Sequence, residues 1–327
     1  MRIRSFQGLV PAPQHAADVA AVPYDVVNRE ESYALAHDKP LNLLHVDRAE
    51  IDLPLSVDPY DAQVYAKAKE NFLALQEKGV LVRESEPCMY LYQQTIQGHK
   101  QTGLVTTCHV DDYEQNVIKK HEKTRQDKED DRTRLVDTLS ANTGPIFLTY
   151  TSQPAIEAII SSIQTNTAPL HDFTAPDGVQ HTVWKVGAGA CSSLTSLFSE
   201  RVPAAYIADG HHRAASAYRV AKMRRDANPD AVGDQDSHWF LSVLFPGNQL
   251  RILPYNRAVK DLNGMTREAF LDKVEAVCSL KYTSLKEPTR PGQCCMYLKG
   301  QWHTLELKHA PDASPIDRLD VSILQDN

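Results

Sequence analysis

Residues 206–217 of this chain read Tyr-Ile-Ala-Asp-Gly-His-His-Arg-Ala-Ala-Ser-Ala. The apolar run from Ala204 to Ala208 predicts a buried strand. Asp209-Gly210 then turns the chain into an alanine-rich segment, Ala214 to Arg225, in which apolar residues recur with the period of a helix. The stretch therefore predicts a strand that passes directly into a helix. Two imidazoles and a guanidinium occupy the first turn of that helix.

The start of this helix has the chemistry of an anion site. The first turn of any helix has unpaired N–H groups and a partial positive charge, which favour bound anions. Gly210 lets a ligand approach the backbone closely, and Arg213 offers a planar fork for phosphate or carboxylate. His211 and His212 add donors or exchange protons near neutral pH. In the alternative interpretation Asp209 caps the helix and the basic side chains are solvated.

Composition limits the class of protein. The chain has 327 residues, of which 42% are hydrophobic and 24% charged, with a net charge of −7. These values are ordinary for a soluble globular protein. The lack of a basic excess argues against nucleic acid as a partner, and no apolar stretch has the length of a membrane span. No signal peptide and no Cys-x-x-Cys pair are present, so we expect a cytoplasmic protein with reduced thiols and no structural zinc site.

Residues 119–134 form a second distinctive stretch, Lys-Lys-His-Glu-Lys-Thr-Arg-Gln-Asp-Lys-Glu-Asp-Asp-Arg-Thr-Arg. Mixed charge of this density is usually a solvated helix face held by pairs one turn apart. Two features favour a binding function here: acidic and basic residues form separate clusters, and His121 directly follows a strand-like run. We therefore give a binding site and a solvated helix face equal weight. Basic groups in the stretch are suited to phosphates. Glu122, Asp127 or Glu129 is suited to Mg²⁺ or to a proton.

The remaining patterns predict an α/β fold with mixed sheet, hairpins and surrounding helices. The apolar run Leu41 to Val46 predicts a buried strand, and the polar residues at its end, including Asp47, favour an exposed loop. We expect one compact α/β unit over 1–327, with two lobes around a shared site. The predicted hairpins pair residues 89–96 with 104–110, 170–174 with 179–186, and 295–298 with 302–307.

Four separate stretches carry a family resemblance. They are residues 22–26 (Val-Pro-Tyr-Asp-Val), the charged run 119–134, residues 141–145 (Ala-Asn-Thr-Gly-Pro) and residues 208–213 (Ala-Asp-Gly-His-His-Arg). In this order they resemble an uncharacterised bacterial and archaeal family, domain of unknown function 1015. Members of that family continue past the position of Asn327. The resemblance therefore implies that this chain stops before a carboxy-terminal segment.

Residues 209–213 also resemble the phosphate-binding box of the ParB and sulfiredoxin superfamily. The form closest to this one occurs in free serine kinases, which phosphorylate L-serine with a nucleotide. This resemblance implies a ParB/sulfiredoxin-like core and a nucleotide phosphate held at the helix start. Glu122 and Arg125 would belong to the second phosphate-binding box, although here that stretch precedes the Asp-Gly-His-His-Arg turn instead of following it.

We therefore expect nucleotide-dependent phosphoryl transfer on a small hydroxylated metabolite, with serine and phosphoserine as the favoured pair. The nucleotide would be ATP or ADP, with Mg²⁺ bridging its phosphates. A phosphatase using the same site and a ParB-like nucleotide switch without turnover are the alternatives, and a homodimer is left open. The candidate residues are Asp209, His212, Glu122 and His121 for catalysis, Gly210, His211, His212, Arg213, Arg125, Lys128 and Arg132 for the phosphate or nucleotide, and Glu122 and Glu129 for the metal.

Overall fold

The computed structural model describes residues 1–230, 234–254, 256–308 and 312–326. Two compact units follow each other along the chain, Met1–Leu250 and Arg251–Asn327. Helices and strands alternate through the first unit, and its sheet has parallel and antiparallel pairs. The predicted mixed α/β class is confirmed. No helix among the described residues has the length and apolar character needed to cross a bilayer.

The first unit is built on a nine-stranded sheet. The unit has eleven strands in all among its described residues, and the other two pair with each other. The strands are β1 (Ile3–Arg4), β2 (Leu9–Pro11), β3 (Leu81–Arg83), β4 (Met89–Ile96), β5 (His99–His109), β6 (Ile118–Lys119), β7 (Ile146–Tyr150), β8 (His171–Thr174), β9 (Gln180–Val186), β10 (Ala205–Asp209) and β11 (Trp239–Pro246). The sheet order is β6-β10-β7-β11-β5-β4-β9-β8, with β1 added beside β5, while β2 pairs with β3. β6 runs parallel to β10 and β7 parallel to β11; the other neighbours are antiparallel.

The sequence patterns explain most of these strands. The two hairpins predicted in this unit are confirmed as β4–β5 and β8–β9. The central strands are apolar because both faces of the sheet are covered, as the burial of the consecutive residues Leu244 and Phe245 of β11 shows.

Nine α-helices occur in the described part of the first unit, and they surround the sheet. They are α1 (Ala16–Val19), α2 (Arg29–Ala36), α3 (Leu44–Asp47), α4 (Ala62–Glu77), α5 (Val110–Glu114), α6 (Gln126–Leu139), α7 (Pro154–Asn166), α8 (Ala188–Arg201) and α9 (His211–Ala227). The main core joins the sheet to α7, α8 and α9. A second core joins α4 to the end of α6. Because α6 packs against both α4 and α9, it links the two cores.

The prediction of a strand from Leu41 to Val46 is wrong. These residues form a turn and then the short helix α3, in which Leu44 and Val46 are buried. The side chain of Asn42 explains the difference, since its Oδ1 accepts a hydrogen bond from the backbone N–H of Leu44 at 3.1 Å. Its Nδ2 donates to the carbonyl of Ala20 at 2.8 Å. Asparagine that bonds to nearby backbone in this way favours a turn over a strand.

The second unit contains two helices and a three-stranded antiparallel sheet among its described residues. The helices are α10 (Arg267–Val277) and α11 (Asp320–Asp326), and the strands are β12 (Cys278–Thr283), β13 (Gln293–Leu298) and β14 (Gln301–Leu307). The strand order is β12-β14-β13. The third predicted hairpin is confirmed as β13–β14.

Candidate functional site

The predicted passage from strand to helix is present at Gly210. β10 ends at Asp209, and the 17-residue helix α9 begins at His211. Gly210 has φ of +92°, a conformation that side-chain-bearing residues rarely adopt. No side chain of a described residue caps this end of α9. The first N–H groups of the helix are therefore without a side-chain cap from the part of the chain that the structure describes.

His211 is the most buried of the three basic residues, with 4% of its surface exposed. Its Nδ1 lies 3.2 Å from a carboxylate oxygen of Glu122, and its ring meets that of His121 edge-to-face at 4.4 Å. Its Nε2 has no hydrogen-bond partner among the described residues. Burial, and then the neighbouring His121, lowers the pKa of His211, while Glu122 opposes this shift. Burial thus favours the neutral form of the His211 imidazole.

Arg213 is held within the protein. Its Nη1 donates to the carbonyl of Pro145 and its Nη2 to the carboxylate of Asp209. Only 14% of the side chain is exposed. Asp209 therefore orients Arg213 and does not cap α9, so the interpretation of a capping aspartate beside solvated basic groups is wrong. The Nε of Arg213 is buried without a hydrogen-bond partner among the described residues, so this guanidinium keeps an unused donor.

The start of α6 meets the start of α9. The backbone N–H of Arg125, the residue before α6, donates to Nε2 of His212 at 3.1 Å. The Arg125 side chain is 71% exposed and pairs with Asp127 at 2.7 Å. No side chain of a described residue caps α6 either. One hydrogen bond therefore brings together two helix amino ends, both without side-chain caps.

The two carboxylates predicted to bind a metal have separate partners. Glu122 is exposed and faces His211. Glu129 accepts a hydrogen bond from the hydroxyl of Thr124 and lies 3.4 Å from a guanidinium nitrogen of Arg219. Among the described residues, neither carboxylate belongs to a group of three side chains close enough to share an ion.

Arg132 is buried, so the charged run is more than a solvated helix face. Its Nε donates to Asp131 at 2.9 Å, and its guanidinium lies over the ring of Tyr24, 4.0 Å from the centroid. This contact brings the Val-Pro-Tyr-Asp-Val stretch to α6. Burial raises the pKa of Tyr24 to about 12, although Arg132 pulls it the other way.

Asp47 is the principal residue that the sequence interpretation missed. The residue is half-buried, and its carboxylate accepts a hydrogen bond from the hydroxyl of Thr143, in the Ala-Asn-Thr-Gly-Pro stretch. Burial raises the pKa of Asp47, against the attraction of Arg132. The one available signal was its position directly after an apolar run. Because that run was interpreted as a strand, Asp47 was assigned to an exposed loop.

A polar cavity of about 150 Å³ lies beside Asp47. Lys128 and Arg132 are the two predicted residues that line it, and Lys128 Nζ lies 3.3 Å from the hydroxyl of Tyr60. Residues 209–213 do not line this cavity. The charges on its wall come from Asp47, Arg48, Glu50, Lys128, Asp131 and Arg132.

The four stretches of the family resemblance are therefore connected in space through Tyr24–Arg132, Arg125–His212 and Arg213–Pro145. A family model described as "Protein of unknown function (DUF1015)" matches residues 3–322. The chain belongs to the DUF1015 family. No curated protein and no solved structure matches it. For this DUF1015 member, function has to be inferred from the site itself.

Proposed function

We propose that this DUF1015 protein transfers a phosphoryl group between a nucleotide and a small hydroxylated metabolite, with serine and phosphoserine as the favoured pair. The observation that carries the proposal is the meeting of α6 and α9 at the hydrogen bond between Arg125 and His212. Each helix amino end carries about half a positive charge and unpaired N–H groups. Two such ends joined by one hydrogen bond favour a ligand with several negative charges, such as the phosphates of a nucleotide.

The phosphate would be held by backbone and side-chain donors from both helices. The N–H groups that follow Gly210 have no side-chain cap from the described residues at the start of α9, and Gly210 itself is buried beneath the guanidinium of Arg213. His212 and the exposed side chain of Arg125 lie beside them. Arg213 fixes this corner against Pro145. The resemblance of residues 209–213 to the ParB-type phosphate box supports the same assignment.

Glu122 and His211 supply a group that accepts a proton. A carboxylate at Nδ1 of a neutral imidazole orients the ring and makes Nε2 the basic nitrogen. His211 has this arrangement, with Glu122 at 3.2 Å from Nδ1 and with Nε2 without a partner among the described residues. The pair therefore suits removal of the proton from a substrate hydroxyl as it attacks phosphorus.

Glu122 and Glu129 are the carboxylates at this end of α6 that would contact Mg²⁺ carried by the nucleotide. Magnesium at such sites is usually held by one or two carboxylates together with phosphate oxygens and water. The donor set fits that arrangement, since Glu122 is exposed and only one of its two carboxylate oxygens faces His211. Magnesium supplies charge neutralisation of the phosphates in this chemistry.

Arg125→Ala tests the phosphate assignment without disturbing the core. Because the Arg125 side chain is 71% exposed, we expect an unchanged melting temperature. Loss of a charged hydrogen bond should weaken ADP or ATP binding in Mg²⁺ by about 10- to 100-fold, measured by isothermal titration calorimetry. Arg83→Ala, at an exposed arginine of β3, is the matched control. Equal nucleotide affinity in the two variants would remove the junction of α6 and α9 from the proposal.

Product analysis separates phosphoryl transfer from its alternatives. If phosphoserine is formed from serine only when ATP or ADP is added, the result supports a kinase. Phosphate released from phosphoserine without any nucleotide identifies a phosphatase at the same site. Nucleotide-driven dimerisation in sedimentation experiments, with no product, identifies a binding switch.

A further inference from the structure

A second cluster of ionisable side chains lies away from the junction of α6 and α9. His109 is the last residue of β5, and Asp234 and His238 precede β11. His109 Nε2 and His238 Nδ1 each lie 3.8 Å from the same carboxylate oxygen of Asp234. One ligand atom from each of the three residues lies within 4.8 Å of the others. Ligand atoms at a tetrahedral zinc are about 3.4 Å apart, so small side-chain movements complete the geometry.

Strand pairing fixes two of the three residues. In the register of β5 with β11, His109 lies opposite Trp239, the residue that follows His238. The ring of Trp239 also meets that of His109 edge-to-face at 4.8 Å. The imidazoles are therefore held together by the sheet. Both are largely buried, whereas 47% of the Asp234 side chain is exposed, which leaves the cluster open to solvent on one side.

Outer hydrogen bonds hold the carboxylate in place. Trp239 Nε1 donates to Oδ1 of Asp234 at 2.6 Å, and Arg4 donates to Oδ2 at 3.1 Å. Arg4 also lies over the Trp239 ring at 4.6 Å. Such outer partners are typical of metal centres, where they orient the ligands. Here they fix the face of Asp234 that points between the two histidines.

Asp111 fixes the orientation of the His109 ring. Its backbone N–H donates to Nδ1 of His109 at 3.2 Å, and its carboxylate lies 3.4 Å from the same nitrogen. Because Nδ1 accepts this hydrogen bond, the proton of the neutral ring lies on Nε2, and a metal ion bound at Nε2 would replace that proton.

We propose that His109, Asp234 and His238 bind one divalent transition-metal ion, with zinc as the best match. Two imidazoles and one carboxylate form a common catalytic zinc set, in which a water molecule takes the fourth position. Magnesium and calcium prefer all-oxygen sites, so the two nitrogens select against them. The site contains no cysteine and does not depend on the phosphoryl-transfer proposal.

Zinc titration of chelator-treated, dialysed protein tests this site. We expect one zinc per chain by calorimetry and by elemental analysis. His238→Ala and Asp234→Asn should each weaken that binding by at least about 100-fold, because two ligands hold zinc poorly. Trp239→Phe keeps all three ligands and should weaken binding by about 10- to 100-fold through loss of the outer hydrogen bond. His15→Ala removes a histidine outside the cluster and should bind like the original chain.

Two results would overturn the site. One is unchanged zinc affinity in both His238→Ala and Asp234→Asn. The other is stoichiometric zinc that is lost in His15→Ala. Circular dichroism checks the fold of each variant, and if His238→Ala unfolds, the half-exposed Asp234→Asn decides the question. Cobalt in place of zinc gives an independent readout, since its visible spectrum reports tetrahedral coordination and should disappear in Asp234→Asn.

Discussion

The amino end of α9 and the connection that follows its carboxyl end gather different side chains. At the amino end, Gly210 and His212 lie beside N–H groups that no described side chain caps, and the start of α6 adds a second such end. Beyond the carboxyl end, Asp234 and His238 face His109, so that a carboxylate lies between two imidazoles. The first region suits an anion and the second a cation.

This difference follows the polarity of the helix. The macrodipole favours anions at the amino end and cations at the carboxyl end. The last turn of α9 already carries Arg224 and Arg225, and Arg225 pairs with Asp111 behind His109 at 2.9 Å. One helix can therefore organise two ligand sites of opposite sign, provided that the groups around each end are supplied by other elements.

The largest expected effect on the free energy of unfolding comes from binding both ligands at the same time. Each ligand at about 100 times its dissociation constant should add about 2.7 kcal/mol to the free energy of unfolding. The ends of this 17-residue helix are about 25 Å apart, so ADP with Mg²⁺ and zinc should act additively, for a total of about 5 kcal/mol.

Chemical denaturation with each ligand alone and with both measures this sum. His238→Ala should keep the ADP increment and lose the zinc increment, and Arg125→Ala should show the reverse. Competition between the two ligands would show that they share a site and would break the comparison.

Gly210→Ala tests the amino end by itself. The new Cβ must accept φ of +92° and would lie 3.1 Å from the guanidinium carbon of Arg213. We expect a loss of about 1–3 kcal/mol in the free energy of unfolding, with weaker nucleotide binding and unchanged zinc affinity.

Gly178→Ala is the matched control for this substitution. Gly178 has φ of +84°, and nothing within 4 Å would meet its Cβ. It should lose only the backbone contribution, about 1 kcal/mol. Equal losses in the two variants would show that the contact with Arg213 contributes nothing.

The smallest effect is the pH dependence contributed by His211. Burial and His121 lower its pKa below 6.5 in the folded state. The unfolded chain therefore binds this proton at a higher pH, and the folded state loses stability as the pH falls below 6.5, by at most about 1.4 kcal/mol per pH unit. His211→Gln should flatten that fall between pH 6.5 and about 5.5, as measured by urea denaturation.

The pH dependence of stability contributed by His45 has the opposite sign, so His45→Gln is the comparison for this experiment. Its hydrogen bond to Asp52 raises its pKa, so its stabilising contribution is complete below pH 6.5 and is lost as the pH rises through the folded value. His45→Gln should therefore remove a gain in stability that accompanies acidification towards pH 6.5, and should leave the slope below pH 6.5 unchanged. A steeper fall in His211→Gln would contradict the neutral imidazole that the proposed mechanism requires.

The sequence correctly predicted those strands and helices for which several local patterns agree. The strand and helix around Gly210 were predictable because an apolar run, a glycine turn and a helical period follow in order. The hairpins were predictable for the same reason. The conformation of Leu41 to Val46 was not predictable, because a short apolar run fits a strand and a helix equally. The hydrogen bond from the N–H of Leu44 to the side chain of Asn42 favours the turn and helix. That error also hid Asp47.

The sequence by itself determined which residues are chemically able to act, namely the Asp-Gly-His-His-Arg turn and the charged run before α6. Only the tertiary structure decided which of them meet. The bond between Arg125 and His212 joins residues 87 positions apart. Contacts with Tyr65 and Tyr24 accompany the burial of Asp131 and Arg132. His109, Asp234 and His238 have no motif spacing, because a strand register brings them together. Local propensity acts over a few residues, whereas burial and pairing depend on contacts between distant parts of the chain.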